Sequence, residues 1–202
     1  MSTKKTLKIN ENSVFLITGG AKGITAQCAV KIAEITHCKF ILVGRSSIIK
    51  QEPNWAHALK SGKELQKSAL LHYKNKDQKV SPKTLQKEIK GILSTREIDS
   101  TIQKIKTAGG QAIYISADVT DEASFIPKVQ SAVNKIGQIS GVIHGAGNLA
   151  DKLIENKSGS DFDLVVNTKI QGLKNIIKAV KPGDLDFLVL FSSVAGFFGN
   201  IG

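Results

Sequence analysis

The sequence predicts an α/β fold in which a doubly wound parallel sheet is covered by helices. Three observations predict it. Short apolar runs alternate along the chain with longer segments of helical spacing, the pattern of strand–helix–strand crossovers. The first run ends in a glycine-rich loop that opens straight into a helical segment. Hydrophobic residues make up 41% of the 202 residues but aromatic ones only 5%. The core must therefore be built mainly from Ile, Leu, Val and Ala, as suits a buried parallel sheet.

The elements follow in order. Residues 13–18 (SVFLIT) form a β-branched apolar run closed by Gly19-Gly20, the mark of a buried strand. Residues 23–36 have helical spacing, with Ile24, Cys28, Ile32 and Ile35 near one face. Residues 39–44 (KFILVG) form the second strand. A polar, Lys-rich insertion follows over 47–93, with one helix over 61–73 and a second starting at Ser81-Pro82, an N-cap followed by proline at the first helical position. Its apolar residues are too few for a core of its own. The pattern resumes with a helix over 94–108, a strand over 111–116 (QAIYIS) and a helix over 121–136. A strand over 141–144 (GVIH), a helix over 160–180 and a strand over 186–191 (DFLVLF) complete it. The expected organisation is a polar tail over 1–12 and one domain over 13–202.

The formal net charge is +11, which raises the question of nucleic acid. Between Ser46 and Arg96, however, eleven Lys or Arg stand against four Asp or Glu, a local surplus of seven. That stretch lacks the interleaved aromatics of a base-stacking platform. It reads as a solvated helical surface or a docking face for an acidic partner, and no nucleic acid is expected. Cys28 and Cys38 have no metal-site spacing and read as reduced packing residues. No apolar run approaches a membrane span and the N-terminus has no leader-like apolar stretch, so a cytoplasmic protein without membrane contact is expected.

The turns after the strands carry the chemistry. The first strand runs into Thr18, Gly19, Gly20, Ala21, Lys22, Gly23, Ile24 and Thr25 before a helix. Glycines there allow a tight turn and close approach to a pyrophosphate, and the helix N-terminus offers N–H donors. Placed between strand and helix, the loop predicts dinucleotide binding on a Rossmann-like sheet. The second strand ends Gly44-Arg45-Ser46. An acidic residue there would favour NAD, whereas Arg45 suits a 2′-phosphate and so NADP(H), with Lys22 as a second phosphate contact. The third strand ends Ala117-Asp118-Val119-Thr120, which places Asp118 to meet the adenine amino group. The alternative is a helix cap at Thr120 or Asp121. The fourth strand ends His144-Gly145-Ala146-Gly147, small residues beside the cofactor path. His144 itself is given no chemistry.

Taken in order, TGGAKGIT, FILVGRS, DVTD, GVIHGAGNLADKLI, VVNTKIQGLKN and FSSVAGFFGNIG resemble short-chain dehydrogenases. More narrowly they resemble the ketoreductase domains of polyketide and polyunsaturated-fatty-acid synthases, from Ser13 to the last residue. The resemblance implies hydride transfer from NADPH to the 3-keto group of an acyl thioester on acyl carrier protein, beside neighbouring synthase domains. It implies that Ser193 hydrogen-bonds the substrate carbonyl, and that Lys169 orients the cofactor and favours an ionised tyrosine. Ordinary short-chain dehydrogenases carry asparagine at the position of Lys169, and Asn167 lies two residues away. Other readings are a free-standing dehydrogenase and a non-catalytic NADP-binding module. Leu149 and Asp151, with Phe198 where the opposite stereochemical class has tryptophan, imply a 3R-hydroxyl product. Two departures stand out. Thr25 replaces the last loop glycine. The family's tyrosine falls near position 206 while the chain ends at Gly202, so a sheet incomplete at its C-terminal side and a chain inactive alone are expected.

Overall fold

Among the described residues, five short strands, β1 (Val14–Thr18), β2 (Lys39–Gly44), β3 (Gln111–Ser116), β4 (Gly141–His144) and β5 (Phe187–Leu190), lie parallel in the order β3-β2-β1-β4-β5. This is a Rossmann-like doubly wound sheet, as the alternating pattern predicts. The computed structural model describes residues 9–199. Most of the tail expected over 1–12 and the last three residues of FSSVAGFFGNIG lie outside the described residues.

The chain divides into two units, Met1–Arg45 with Thr101–Gly202, and Ser46–Ser100. In the first, β1 is the hinge of the sheet order: Thr18 pairs with Val43 on one side and His144 on the other. The carboxyl ends of β1 and β4 therefore flank the switch point, where open α/β sheets hold ligands. Strand alternation sorts the core. Val14, Leu16, Ile41, Val43 and Val142 pack with Phe125 and Val129 of α4 (Glu122–Ile136) and Ile176 of α5 (Gly159–Ala179). Phe15 and Phe40 face the other way and meet edge to face, with ring centroids 5.8 Å apart. Each such buried side chain contributes about 1.5–3 kcal/mol relative to exposure.

Helix α1 (Gly23–Thr36) corrects the expected helix face. Its buried residues are Thr25, Ala26, Ala29 and Ala33, while Ile24 is 79% and Ile35 71% exposed. Small side chains on the inner face allow the helix to lie close to the sheet behind the glycine loop.

The second unit contains α2 (Gly62–Asn75) and most of α3 (Pro82–Thr107). Two expectations are corrected here. A single helix replaces the two expected over the second half of the insertion and 94–108. The insertion also has its own cluster of buried residues, Ala56, Leu65, Ala69, Leu85, Ile89 and Ile92, with Trp55 and Tyr73 packed against it. Alanines and polar–aromatic side chains supply what a count of large aliphatics missed. Ser61 and Glu64 form a reciprocal capping box at the start of α2.

One arginine ties this unit together. Arg96 forks onto Glu52 through Nε at 2.7 Å and Nη2 at 2.6 Å, and donates to the carbonyls of Ala56 and Leu59. Replacing Arg96 with methionine keeps the stem but leaves Glu52 and two carbonyls without this partner. We expect a loss of about 1.5–3 kcal/mol, typical of hydrogen bonds to charged groups. Hydrogen exchange across 46–100 reads it, and unchanged protection there would contradict the role.

Candidate functional site

The glycine loop meets the β4 turn at the switch point. Gly19 has a φ of +72°, and a Cβ there would lie 2.9 Å from the Gly145 carbonyl oxygen. Both the left-handed backbone and the space call for glycine. Gly20 is packed on Ile17, where a Cβ would come within 2.5 Å of Cγ2. Gly23, with a φ of +62°, faces open space. Ala21 is buried, and its carbonyl accepts from Thr101 Oγ1 at 3.0 Å. Sequence reasoning missed that support from α3, since a lone helix threonine carries no motif.

The N-terminus of α1 carries no side-chain cap, unlike the other long helices. Among the described residues, Ser61, Ser81, Asp121 and Ser158 accept backbone N–H bonds at the starts of α2, α3, α4 and α5. At α1 the cap position is Lys22, no side chain caps it, and the first turn holds no acidic residue. A helix start with the positive end of the dipole and without a side-chain or acidic cap is an arrangement that suits a phosphate.

Thr25 is where the loop departs from its resemblance, and the structure shows the compensation. Thr25 is buried, and a Cβ on Gly145 would lie 2.7 Å from both its Oγ1 and Cγ2. Bulk added on the helix is matched by a glycine on the facing turn. Gly145→Ala should cost about 1–3 kcal/mol by overpacking, and Thr25→Ala in the same chain should return part of it. Urea unfolding of the single and double variants checks this; strictly additive effects would contradict it.

At the carboxyl ends of β2, β3 and β4, a cleft of about 300 Å³ is lined by Arg45, Asp118, Thr120, Asn148, Leu164 and Thr168, among others. Arg45 is exposed, and its Nη2 donates to Asn148 Oδ1 at 2.5 Å. Asn148 in turn donates to Thr168 Oγ1 at 2.6 Å. Sequence reasoning did not single out Asn148, which sits one residue past the glycine turn. Asp118 Oδ1 accepts from the Thr120 amide and hydroxyl at 2.9 and 2.7 Å. The capping role falls to Asp121. Val119 differs from its neighbour: its side chain is buried in the core and its carbonyl accepts from Asn175. Ser46 is half-buried, and Ala146 donates its amide to Thr18 Oγ1 at 3.3 Å.

The remaining two candidates converge at the end of β5. Lys169 reaches across from α5 and donates through Nζ to the Phe191 carbonyl at 2.9 Å. It also borders Gly147, where a Cβ would lie 3.6 Å from Nζ. Asn167 instead lines the Arg45 cleft. Burial pushes the Lys169 pKa below the usual lysine value. Ser193 follows β5, exposed, and its Oγ accepts from the Ala195 amide at 3.2 Å, so its hydroxyl hydrogen stays available. Leu149, Asp151 and Phe198 are exposed. Among the described residues no His/Cys/Asp/Glu cluster could hold a metal, and no helix is long and apolar enough to cross a membrane.

Comparison with known proteins identifies the family and the fold. The family profile described as "KR domain" matches residues 13–202. One polyunsaturated fatty acid synthase polypeptide of Thraustochytrium sp. is 38% identical over 202 residues, covering 96% of this chain and 7% of that protein. Polyketide synthase PksN of Bacillus subtilis is 28% identical over 193 residues, covering 95% of this chain and 3% of its own length. The chain thus spans a small part of these relatives. Among solved structures, an N-terminal ketoreductase from the macrolactin assembly line matches with a TM-score of 0.69 at 25% identity, over 99% of this chain and 32% of that one. A short chain dehydrogenase from Mycobacterium paratuberculosis bound to NAD shares the fold, with a TM-score of 0.63 at 20% identity over 92% of this chain and 57% of that one.

Proposed function

The chain belongs to the KR-domain family, and on that premise we propose that it is the NADPH-binding part of a ketoreductase acting on the 3-keto group of an acyl thioester carried by acyl carrier protein. The observation that carries this reading is convergence. The glycine junction at the switch point, Arg45, Lys169 and Ser193 all lie at the carboxyl edge of one sheet.

The cradle fits a dinucleotide. The uncapped start of α1 and the backbone of Gly19–Gly23 receive the pyrophosphate. Arg45 pairs with the 2′-phosphate, Lys22 adds a second positive charge, and Asp118 Oδ2 accepts from the adenine amino group. NADPH supplies the hydride when bound. Ser193 donates its free hydroxyl hydrogen to the substrate's keto oxygen, steadying the negative charge that develops there. Lys169 keeps two donors beyond its bond to the Phe191 carbonyl, and its charge holds the nicotinamide end in place and favours an ionised proton-transfer partner. The thioester carrier and the neighbouring domains are inferred from the multidomain synthases it resembles. Leu149 and Asp151 support a 3R-hydroxyl product.

The test uses the full-length gene product with NADPH and a 3-ketoacyl pantetheine thioester. Loss of nicotinamide fluorescence that depends on the thioester, with a 3-hydroxyacyl product, is expected. NADPH binding without any thioester-dependent oxidation would overturn the reading.

A further inference from the structure

His144 ends β4 directly beneath the glycine junction, and nothing above gives it a task. It is 2% exposed, yet both ring nitrogens are engaged. Nε2 lies 3.1 Å from the backbone oxygen of Lys169 on α5. Nδ1 lies 2.6 Å from Thr18 Oγ1 at the end of β1. The Ala146 amide donates to that same hydroxyl oxygen at 3.3 Å.

The partners assign the hydrogens. A carbonyl oxygen can only accept, so Nε2 carries a hydrogen. With the ring neutral, Nδ1 accepts the Thr18 hydroxyl hydrogen, and the Thr18 oxygen still accepts from Ala146. Every polar hydrogen then has a partner. With the ring protonated, Nδ1 becomes a donor, Thr18 must accept twice, and its hydroxyl hydrogen loses its acceptor. The relay therefore works only with a neutral ring. It also joins two parts of the site that belong to different elements, the loop entered from Thr18 and the helix turn bearing Lys169.

We propose that His144 is a positioning residue that locks the Lys169 turn of α5 to Thr18 of the glycine loop, and that its protonation breaks the lock at Thr18 while the Nε2 bond to the Lys169 carbonyl stays. The proposal rests on the reading of Lys169 and the loop as cofactor-binding groups. Close packing supports the lock. Gly172, one turn along α5, faces the ring, and a Cβ there would lie 3.4 Å from Cε1 and 2.8 Å from Val119 Cγ2. The strand neighbours of His144, Thr18 on β1 and Leu190 on β5, do not titrate at these pH values. From α5 the charged group is Lys169. Burial lowers the imidazole pKa, the carbonyl bond to Lys169 opposes this, and the Lys169 ammonium adds to the lowering. The lock is thus complete above the ordinary histidine pKa and fails as pH falls through the lowered one.

His144→Asn separates the lock from its titration, because an amide keeps one donor and one acceptor but does not ionise. NADP⁺ titrations at about pH 7.5 and at about one pH unit below the His144 ring midpoint, read by nuclear magnetic resonance, compare the locked and the protonated states. The 2′-phosphate itself titrates near pH 6, so each profile is judged against the variant. We expect the wild type to lose at least about fivefold more affinity in acid than His144→Asn, the low end of ordinary site-to-site coupling. Nuclear magnetic resonance gives a readout that needs no nucleotide. The Ile170 amide, bonded to the Lys169 carbonyl carbon, should shift with the same pH midpoint as the His144 ring and stay still in the variant. Equal acid losses in both proteins, or an Ile170 amide indifferent to the His144 midpoint, would overturn the proposal. A chain that binds no NADP⁺ at either pH would instead overturn the ketoreductase reading, with the Ile170 comparison still deciding the role of His144. If the variant does not fold, the match of the two midpoints in the wild type decides.

Discussion

Replacing Arg45 with alanine should weaken NADPH binding by about 10–100-fold and leave NADH within about threefold of its wild-type affinity. The asymmetry is the informative part. NADPH differs from NADH by one phosphate on the adenine ribose, and in the proposed site Arg45 stands at the strand end that would meet that ribose. A guanidinium presents five donors in a rigid fork, well matched to phosphate oxygens. In this chain the fork is already oriented. Arg45 donates to Asn148, and Asn148 is fixed by Thr168 on α5, so little conformational freedom remains to be lost on binding. The estimate stays at one to two decades because Arg45 is exposed, where solvent screens charge. Arg45→Asp should go further and invert the preference, since a carboxylate repels the phosphate and accepts from a ribose hydroxyl. Fluorescence titration with both nucleotides measures this. Equal losses for NADPH and NADH would assign Arg45 to folding rather than to recognition.

Lys169→Met should lower kcat in the full-length gene product by about 100-fold or more without lowering the melting temperature. The two halves have one cause. Lys169 is held at the proposed site partly stripped of water, with the Phe191 carbonyl as its described partner. Its folded pKa lies below the unfolded one, so at neutral pH the folded state pays for an ionised group that water would solvate better. That deficit is full below the folded pKa and fades as pH rises toward the ordinary lysine value. Methionine keeps the stem and removes the charge. Stability is therefore expected to hold or rise while turnover falls, the pattern of a residue kept for function. Parallel kinetics and calorimetry check it. A variant that loses activity and melts earlier would mean that Lys169 serves the fold.

The strands were legible because each is a short apolar run closed by turn residues, and all five lie where the pattern puts them. The proposed nucleotide edge was readable for the same reason: Gly19, Gly20, Arg45, Asp118 and Gly145 all sit one or two residues past a strand end. The insertion was harder. The insertion was expected to end at 93 and a new helix to start at 94, yet Leu85, Ile89, Ile92, Thr95, Ile98, Thr101 and Ile105 are all buried, a three-and-four spacing that runs through that boundary. Counting threonine as a core residue would have joined the two expected helices into one. The α1 face was misread because large isoleucines outweigh alanines on any hydrophobicity count, whereas a close helix–sheet contact selects for small residues. Asn148 and His144 were invisible for a different reason. Their roles come from partners 103 and 126 residues away in the chain, and no local spacing encodes such pairs.

The most direct test of the whole account is calorimetric titration of the chain with NADPH and, separately, with NADH. One site that binds NADPH at least about tenfold more tightly is expected, the value of one good charge-assisted contact. Equal affinities, or tighter binding of NADH, would contradict it.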